Sequence, residues 1–403
     1  MKNLTPCIIG LGYVGLPVFI SLNKKFRVIG YDKNKTRVKD LKKSIDTNYE
    51  FSKQDFKLKK GSVITSNKND LKKANFYIIT VPTPIKKNKL PDLKYIKSAF
   101  NLISKFIKNN DIIFLESTVF PGTTENICKN IIKRNNKKIK FHIGYSSERI
   151  NPGDKIHNIK NICKVVSIEK NKEIINTVKR IYKCISKKIV FTEKIKETEL
   201  SKLIENTQRD LNIALMNEIM ILCNKTNLDF SEVVRLARTK WNFLKFNPGL
   251  VGGHCLPVDP YYLSYFAKKS NFKTSVTLAG RNTNNFMEKF ILKKIVSKIN
   301  KLESYKKKNI VVVGLTYKPN VSDLRNSLAM NIYKNLKKKY SNTKNYDPII
   351  EPKIAKKLKI CVNFSNIKSS EVFIFLVKHK KVKSIVNFAK KNNRIIIDPL
   401  TDF

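Results

Sequence analysis

The segment Gly252–Pro260, GGHCLPVDP, combines a thiol, an imidazole and a carboxylate within a few residues. Paired glycines let a ligand approach the backbone, and a thiolate nucleophile needs a nearby base or positive field. His254 stands beside Cys255, and Asp259 follows four residues later. Adjacent side chains usually point apart, so spacing alone leaves Cys255 open as either a nucleophile or a buried structural cysteine.

A glycine motif near the start of the sequence predicts a dinucleotide site. The run Gly10–Gly15, GLGYVG, follows a predicted strand and opens a predicted helix, and Asp32 ends the next strand. Gly10 permits the turn, Gly12 lets the backbone approach a pyrophosphate, and Gly15 lets the helix pack closely. Asp32 can accept hydrogen bonds from an adenosine ribose, which favours NAD over NADP. A glycine-rich turn with a capping aspartate is the alternative.

Further polar residues occupy positions suited to ligand contact. The segments Thr80–Pro84 (TVPTP) and Glu116–Thr124 (ESTVFPGTT) follow later strands of the same predicted sheet. Ligands bind at the carboxyl ends of strands in open α/β sheets. On a predicted long helix, Lys202 and Asn206 are four residues apart and share one face. Simple capping loops, and a solvated lysine with a surface asparagine, remain open as alternatives.

Alternating apolar runs and amphipathic stretches predict the elements that carry these residues. In the first third and in the last quarter, short strands alternate with helices, which is typical of βαβ units and parallel sheets. Between them, Lys194–Thr226 lacks Gly and Pro and shows helical spacing of leucine and isoleucine, which predicts one long helix. A loop over Trp241–Pro260 and a helix over Ser275–Lys301 follow. The predicted fold is α/β, with two Rossmann-like doubly wound lobes joined by a central helical domain with one long helix.

The candidate strands are short segments, and most of them contain an apolar run. They are Pro6–Gly10, Arg27–Tyr31, Phe76–Val81, Asp111–Glu116, Lys140–Tyr145, Cys163–Ser167, Lys188–Phe191, Asn309–Gly314, Lys344–Tyr346, Lys359–Val362, Val372–Val377 and Arg394–Ile397.

The composition is strongly basic, with 81 Lys and Arg against 31 Asp and Glu and a formal charge of +50 over 403 residues. Such a charge suits a nucleic acid or an anionic membrane. The lysines, however, are spread along the whole chain and form no cluster interleaved with aromatic residues. Most of them are expected on solvated faces, so no specific nucleic acid is predicted as a partner.

Cysteine usage and hydropathy indicate the setting. Seven cysteines without paired spacing make neither a disulfide framework nor a zinc site, so no metal is predicted and a cytoplasmic location is expected. The uncharged stretch Leu4–Asn23 resembles a signal peptide or short anchor, but three glycines and Pro17 interrupt it. A strand, a glycine turn and a helix explain it better, and no membrane span is predicted.

Taken together, the motifs resemble the UDP-glucose/GDP-mannose dehydrogenase family over nearly the whole chain. The matching segments are Gly10–Gly15, Val81–Pro84, Glu116–Thr124, Ser147–Arg149, Glu199–Asn206, Gly252–Asp259 and Gly314–Arg325. Several motifs in one order are far more specific than any single motif, and they favour the catalytic interpretations of Cys255 and Lys202. Dehydrogenases of UDP-N-acetylhexosamines are the most similar members, on residues 148–154, 205–218 and 239–263. UDP-glucose enzymes usually carry a second glutamate at the position of Pro152.

The resemblance implies a two-step, four-electron oxidation of the sugar C6 alcohol to a carboxylate, with two NAD⁺ consumed. Cys255 would capture the C6 aldehyde as a thiohemiacetal, and a thioester would then be hydrolysed. Lys202, with Asn206, would stabilise the oxyanion. Asp259 and Thr118 would hold a water for proton transfer. Glu148 would assist hydrolysis of the thioester.

The resemblance also assigns binding positions and domains. Cofactor-binding positions are Gly10, Gly12, Tyr13, Val14, Gly15, Asp32, Thr83, Thr118 and Arg325. Substrate-binding positions are Glu148, Arg149, Lys202, Asn206, Phe243, Gly249, Gly252, Lys318 and Arg281. The implied domains are 1–193 for NAD, 194–303 for the helical dimerisation region with the cysteine loop, and 304–403 for the UDP-sugar.

The expected protein is a homodimeric enzyme of surface polysaccharide biosynthesis. UDP-glucose and UDP-N-acetylmannosamine are the alternative substrates. A basic nucleic-acid-binding protein on a dehydrogenase-like scaffold is the alternative from another class, and only the charge favours it.

Overall fold

A computed structural model describes residues 4–48, 50–150, 154, 156, 158–304 and 308–400. The chain divides into two units. Unit one comprises Met1–Glu205 and Tyr261–Phe272, and unit two comprises Asn206–Pro260 and Lys273–Phe403. The division into domains 1–193, 194–303 and 304–403 stays a prediction.

Twelve strands are defined in the described part of the chain. They are β1 (Pro6–Ile9), β2 (Ile29–Tyr31), β3 (Val63–Thr65), β4 (Phe76–Ile79), β5 (Ile112–Leu115), β6 (His142–Ser146), β7 (Cys163–Ser167), β8 (Lys188–Thr192), β9 (Ile310–Val313), β10 (Thr343–Tyr346), β11 (Val372–Phe375) and β12 (Ile395–Ile397).

The α-helices of the same residues alternate with these strands at both ends of the chain. They are α1 (Gly15–Asn23), α2 (Lys35–Lys42), α3 (Lys94–Ile103), α4 (Lys129–Asn135), α5 (Lys172–Ile185), α6 (Ile195–Thr226), α7 (Phe230–Ala237), α8 (Asp259–Lys269), α9 (Ser275–Asn300), α10 (Leu328–Lys339), α11 (Pro352–Leu358) and α12 (Lys383–Lys391).

Unit one is built on an eight-stranded sheet in the order β3-β2-β1-β4-β5-β6-β7-β8. The order reverses between β1 and β4, the arrangement at which doubly wound sheets bind dinucleotides. The strands are short and buried, and helices α1 and α5 pack together on the apolar core. The predicted Rossmann-like lobe is confirmed.

Two features of this sheet differ from the sequence-based expectation. Strand β3 was not predicted, because Val63 and Ile64 are an apolar run too short to stand out in a lysine-rich stretch. Strand β7 runs antiparallel to β6, although every other neighbouring pair is parallel. A parallel return needs a crossover, usually a helix, and none is defined among the described residues between β6 and β7.

Unit two contains a parallel sheet in the order β10-β9-β11-β12. Side chains of β9 alternate between its two faces: Ile310 and Val312 pack with residues of α9 and α10, and Val311 and Val313 pack with residues of α12. The second predicted doubly wound lobe is therefore confirmed.

The predicted strand Lys359–Val362 is wrong. Lys359 has a left-handed φ of +54° and ends α11. The Cys361 backbone N–H then donates to the side-chain oxygen of Asn345, 2.9 Å away, instead of to a strand. A short apolar run in the sequence is compatible with a β-strand and with an irregular segment after a helix. The positions of the neighbouring residues in the fold decide between the two.

The helical middle of the chain is confirmed. Helix α6 has 32 residues, so it is about 48 Å long. It begins in unit one and ends in unit two. None of the helices in the described ranges is long and apolar enough to cross a membrane.

Candidate active site

The glycine motif forms a tight turn between β1 and α1. Gly10 has a φ of +96°, which residues with a Cβ rarely adopt, and its N–H donates to the carbonyl of Tyr31 at 2.8 Å. The next N–H, of Leu11, donates to Oδ2 of Asp32 at 2.9 Å. Asp32 also accepts from the N–H of Asn34 and stays half-buried, so its carboxylate remains accessible to ribose hydroxyls.

The other two glycines of the motif have different surroundings. A Cβ on Gly15 would lie 1.8 Å from the carbonyl oxygen of Gly10, so the helix start leaves no room for a side chain. A Cβ on Gly12 would meet nothing within 4 Å. Tyr13 and Val14 lie partly exposed between them, and Val14 is the N-cap of α1. This open turn beside a helix N-terminus fits a pyrophosphate.

The carboxyl ends of β1, β4 and β5 are joined by side-chain hydrogen bonds. Thr80 Oγ1 donates to the carbonyl of Gly10 at 2.8 Å, and Ser117 Oγ donates to the carbonyl of Val81 at 2.7 Å. The structure thus brings the three loops to one edge of the sheet. The candidate residues on the later two loops are Thr83 and Thr118, both half-buried.

Glu199, in the first turns of α6, anchors the loop that carries Thr118. Its carboxylate accepts hydrogen bonds from the N–H of Gly122 at 2.5 Å and from the N–H and Oγ1 of Thr124 at 2.9 and 2.7 Å. Burial raises the pKa of Glu199 to about 7, although those hydrogen bonds partly offset it. Sequence reasoning named the segment but not this residue.

The stability of the Glu199→Gln variant is expected to depend less on pH than that of the unmodified chain. Because the carboxyl binds its proton more tightly when folded, the stability it contributes is present below about pH 4.5 and is lost as pH rises to about 7. That loss amounts to about 3 kcal/mol. Denaturant unfolding at pH 5 and pH 8 measures it, with Glu197→Gln, exposed on the same helix, as control. If the free energy of unfolding changed equally with pH in both variants, the raised pKa of Glu199 would be contradicted.

Three candidate residues of unit one form a chain of polar contacts. Glu148 Oε1 accepts the N–H of Arg149 at 2.7 Å. The Arg149 guanidinium pairs with Glu205, whose other carboxylate oxygen lies 4.0 Å from Lys202 Nζ. Lys202 is buried, so the alternative of a solvated lysine is wrong. Glu205 is a connecting residue that sequence reasoning missed.

Glu148 also belongs to a buried ionic cluster. Lys164 Nζ, on β7, lies 2.6 Å from Glu148 Oε2 and 2.8 Å from Glu116 Oε2. Tyr182 of α5 donates to Glu116 Oε1 at 2.8 Å. Burial alone would lower the pKa of Lys164, but the two carboxylates outweigh it and raise that pKa. Burial raises the pKa of Glu116, and Lys164 partly offsets it.

In unit two, the cysteine loop ends at the start of α8. The carbonyl of Cys255 accepts hydrogen bonds from the N–H groups of Val258 and Asp259 at 2.9 and 2.8 Å. The side chain of Cys255 is exposed, so the alternative of a buried structural cysteine is wrong. The Asp259 carboxylate is buried and accepts a hydrogen bond from Asn206 Nδ2 at 2.5 Å. The structure therefore joins two of the candidate catalytic residues directly.

The imidazole of His254 contacts the carboxylate of Asp323. Its Nε2 lies 3.2 Å from Asp323 Oδ2, and Arg325 Nε donates to the same carboxylate at 3.0 and 3.1 Å. Burial would raise the pKa of Asp323, but the hydrogen bonds from His254 and Arg325 hold it well below its usual value. Asn326 Nδ2 also donates to the carbonyl of Gly253 at 2.9 Å. Asp323 was not identified from the sequence.

The remaining substrate candidates of unit two lie near this loop or near the second sheet. A Cβ on Gly252 would lie 2.5 Å from the carbonyl oxygen of Asn326, so protein fills the space beside it. The Gly249 N–H donates to Asn217, and Phe243 and Lys318 are half-buried. Their substrate roles stay predictions.

Arg281 is fully buried on α9. Its NH1 donates to Asp210 Oδ1 at 2.5 Å, and its NH2 donates to Asn285 Oδ1 at 2.6 Å. Its predicted role as a substrate contact stays a prediction.

The Arg281→Met variant is expected to destabilise the protein by about 3–5 kcal/mol, because Asp210 would keep a buried charge without its cation. Denaturant unfolding measures this, and Arg209→Met, exposed on α6, is the control. An Arg281→Met protein of normal stability with a raised KM for the sugar nucleotide would instead point to a substrate contact alone.

The turn after β9 repeats the geometry of the turn after β1. Gly314 has a φ of +83°, and its N–H donates to the carbonyl of Tyr346 at 2.9 Å. The N–H of Leu315 donates to Oδ2 of Asp347 at 2.7 Å. This carboxylate is fully buried and lies 3.1 Å from Nε2 of His379. The sequence showed no repeat, because only a few residues of each lobe correspond.

Family models cover most of the chain. Residues 5–186 match the NAD binding domain of the UDP-glucose/GDP-mannose dehydrogenase family, residues 196–286 match its central domain, and residues 311–401 match its UDP binding domain. The chain belongs to the UDP-glucose/GDP-mannose dehydrogenase family. The predicted family, enzyme class and NAD cofactor are confirmed.

Curated relatives and solved structures agree with membership of this dehydrogenase family. Protein CapL of Staphylococcus aureus is 41% identical, over 96% of this chain and 94% of its own. UDP-N-acetyl-D-glucosamine 6-dehydrogenase of Salmonella typhi is 39% identical, over 94% and 90%. A UDP-D-ManNAc dehydrogenase structure from Pyrococcus horikoshii is 27% identical with a TM-score of 0.83, over 96% and 93%.

Proposed function

We propose that this dehydrogenase oxidises the C6 hydroxyl of a UDP-N-acetylhexosamine to the carboxylate, as a cytoplasmic homodimer that serves surface polysaccharide biosynthesis. Two relatives named UDP-N-acetyl-D-glucosamine 6-dehydrogenase are 39% and 41% identical to it. Two relatives named UDP-N-acetyl-D-mannosamine dehydrogenase are 34% and 33% identical to it. This difference supports UDP-N-acetylglucosamine as the first substrate to test.

The exposed thiol of Cys255 at the amino end of α8, followed by the Asn206-bound Asp259, is the observation that carries the chemistry. The positive end of a helix stabilises nearby negative charge, which suits a thiolate and the oxyanion formed on it. Asn206 fixes the carboxylate, so Asp259 can hold a water or accept a proton at a defined place.

The proposed sequence uses the thiol as a covalent anchor. NAD⁺, when bound at the Gly10–Gly15 turn, would supply the hydride acceptor for both oxidations. After the first, Cys255 adds to the C6 aldehyde, and the resulting thiohemiacetal is oxidised to a thioester. Lys202 stabilises the oxyanion, with Asn206 beside it on the helix. Glu148 then accepts a proton from the water that attacks the thioester.

Turnover of a panel of sugar nucleotides tests this function. UDP-GlcNAc, UDP-GalNAc, UDP-ManNAc and UDP-glucose are incubated with the full chain and NAD⁺, and NADH and the acid product are quantified. We expect two NADH per sugar, with an N-acetylhexosamine preferred. Faster turnover of UDP-glucose would reject the proposed substrate class, and no turnover of any UDP-sugar would reject the function.

The dimer is proposed from apolar side chains on unit two. Leu215 and Leu222 are exposed on α6, as are Leu236 on α7 and Trp241 in the following loop. Exposed apolar groups of this size are typical of protein interfaces. Light scattering is expected to give about twice the chain mass of 46.6 kDa, and a monomer at micromolar concentration would exclude the proposal.

A further inference from the structure

The buried cluster around Lys164 has more acid than base, and the mechanism above uses only one of its members. One ammonium faces two carboxylates, Glu116 and Glu148, at 2.8 and 2.6 Å. Lys164 and Glu116 are buried completely, whereas a small part of the Glu148 side chain is exposed. Only Glu148 is therefore open to a reacting group, while its partners lie behind it.

The second carboxylate, Glu116, keeps Lys164 paired when Glu148 takes up a proton. With both carboxylates ionised, the cluster carries a net charge of −1. When Glu148 takes up a proton, Lys164 remains paired with Glu116 and the net charge becomes zero. A lone Lys164–Glu148 pair would instead leave a buried ammonium without a partner, which is strongly unfavourable. The second carboxylate therefore makes protonation of Glu148 compatible with a buried lysine.

We propose that Lys164 is a positioning residue for the hydrolytic step: its ammonium orients the Glu148 carboxylate, and Glu116 balances that ammonium when Glu148 takes up a proton. The inference rests on the proposed function. Water adds to the carbonyl carbon of the Cys255 thioester, and one proton of the water passes to Glu148. The C–S bond breaks with its electron pair on sulfur, which releases the carboxylic acid.

The groups that face Glu148 determine the expected pH dependence. Among the described residues, Lys164 from β7 is bonded to Glu148, and Glu116 from β5 is bonded to Lys164 and to Tyr182 of α5. The backbone N–H groups of Arg149 and Ile150 also donate to Glu148, at 2.7 and 2.6 Å. Removing Lys164 therefore takes away the cation that pairs with Glu148 in this cluster.

Two variants shift the pH profile in opposite directions. The double variant Lys164→Gln/Glu116→Gln keeps the cluster at −1 but removes the ammonium, so the acid limb of thioester hydrolysis is expected to move up by about one pH unit or more. Glu116→Gln alone leaves Glu148 with an unshared ammonium, so the same limb is expected to move down. A misfolded protein would not produce shifts of opposite sign.

Single-turnover reactions of the full chain with NAD⁺ and UDP-GlcNAc measure both steps between pH 5 and 9. The oxidation is measured by the NADH that is released. The thioester on Cys255 is measured by intact-protein mass spectrometry. At a pH on the acid limb, we expect the double variant to accumulate about tenfold more thioester than the unmodified chain, with the first oxidation changed less than about twofold.

The outcomes separate this inference from the function on which it rests. If the unmodified chain oxidises no UDP-sugar, the proposed function fails. If it does so and the limb stays in place in both variants, or both steps slow equally, the positioning role is overturned. If the double variant does not fold, Glu116→Gln decides: a downward shift supports the role, and an unchanged or upward limb overturns it.

Discussion

The Cys255→Ser variant is expected to form no acid product above about one part in a thousand of the unmodified rate. Loss of a covalent nucleophile costs on the order of 10³-fold or more in turnover. A serine hydroxyl is mostly protonated at neutral pH, so it is a far weaker nucleophile than a thiolate. The aldehyde would then not be trapped, and net NADH formation would stop near the first equilibrium.

Matched serine substitutions keep this test specific. Cys361→Ser changes a half-buried cysteine beyond β10 and is expected to leave turnover within about twofold. NADH absorbance and mass spectrometry of the sugar nucleotide measure both oxidations. A Cys255→Ser enzyme that still produced two NADH per sugar would show that the thiol is not the covalent anchor.

The Gly15→Ala and Gly12→Ala variants are expected to have different defects, the first in stability and the second in NAD⁺ binding. A Cβ at Gly15 would lie 1.8 Å from the Gly10 carbonyl and 2.5 Å from Thr80 Oγ1, so the fold must shift, at a cost of about 3 kcal/mol. A Cβ at Gly12 meets no protein atom within 4 Å, so stability should change by less than about 0.5 kcal/mol. It would, however, stand where a pyrophosphate approaches, and KM for NAD⁺ should rise about tenfold.

Unfolding curves and NAD⁺ titrations of the two variants separate these effects. The pair serves as its own control, since both changes add one methyl group to the same turn. A stable Gly15→Ala protein would contradict the packing in the structure. A Gly12→Ala enzyme with an unchanged KM for NAD⁺ would contradict the placement of the cofactor.

Most of the fold follows from local pattern in the sequence. Apolar runs four to five residues long, such as β1 and β9, stand out because both faces of each sheet are covered. The long helix α6 stands out because 32 residues contain no helix breaker. Strand β3 and the false strand at Lys359–Val362 show the limit, because a three-residue run becomes a strand only when a neighbour is in register.

Site residues can be predicted from the sequence only where a single motif contains all the residues that contact one another. The turn around Gly10 and Asp32 is such a case, because one βαβ unit carries both residues. Glu205, Asp323 and Lys164 were missed because each has a partner far away in sequence, namely Arg149, His254 and Glu116. The contact between Lys164 and Glu116, for example, spans 48 residues. No spacing rule identifies a charged residue by the partner that folding gives it.

The two matching turns are not equivalent binding surfaces. Asp32 stays half-buried, whereas the oxygens of Asp347 are taken up by backbone N–H groups and by His379. A ribose that relies on a carboxylate acceptor can dock against the first lobe but finds its counterpart closed in the second. The cofactor and the sugar nucleotide both contain a nucleoside, and the accessibility of Asp32 compared with Asp347 allows the two lobes to distinguish them. We therefore expect that excess dinucleotide competes poorly for the lobe that matches the UDP binding domain.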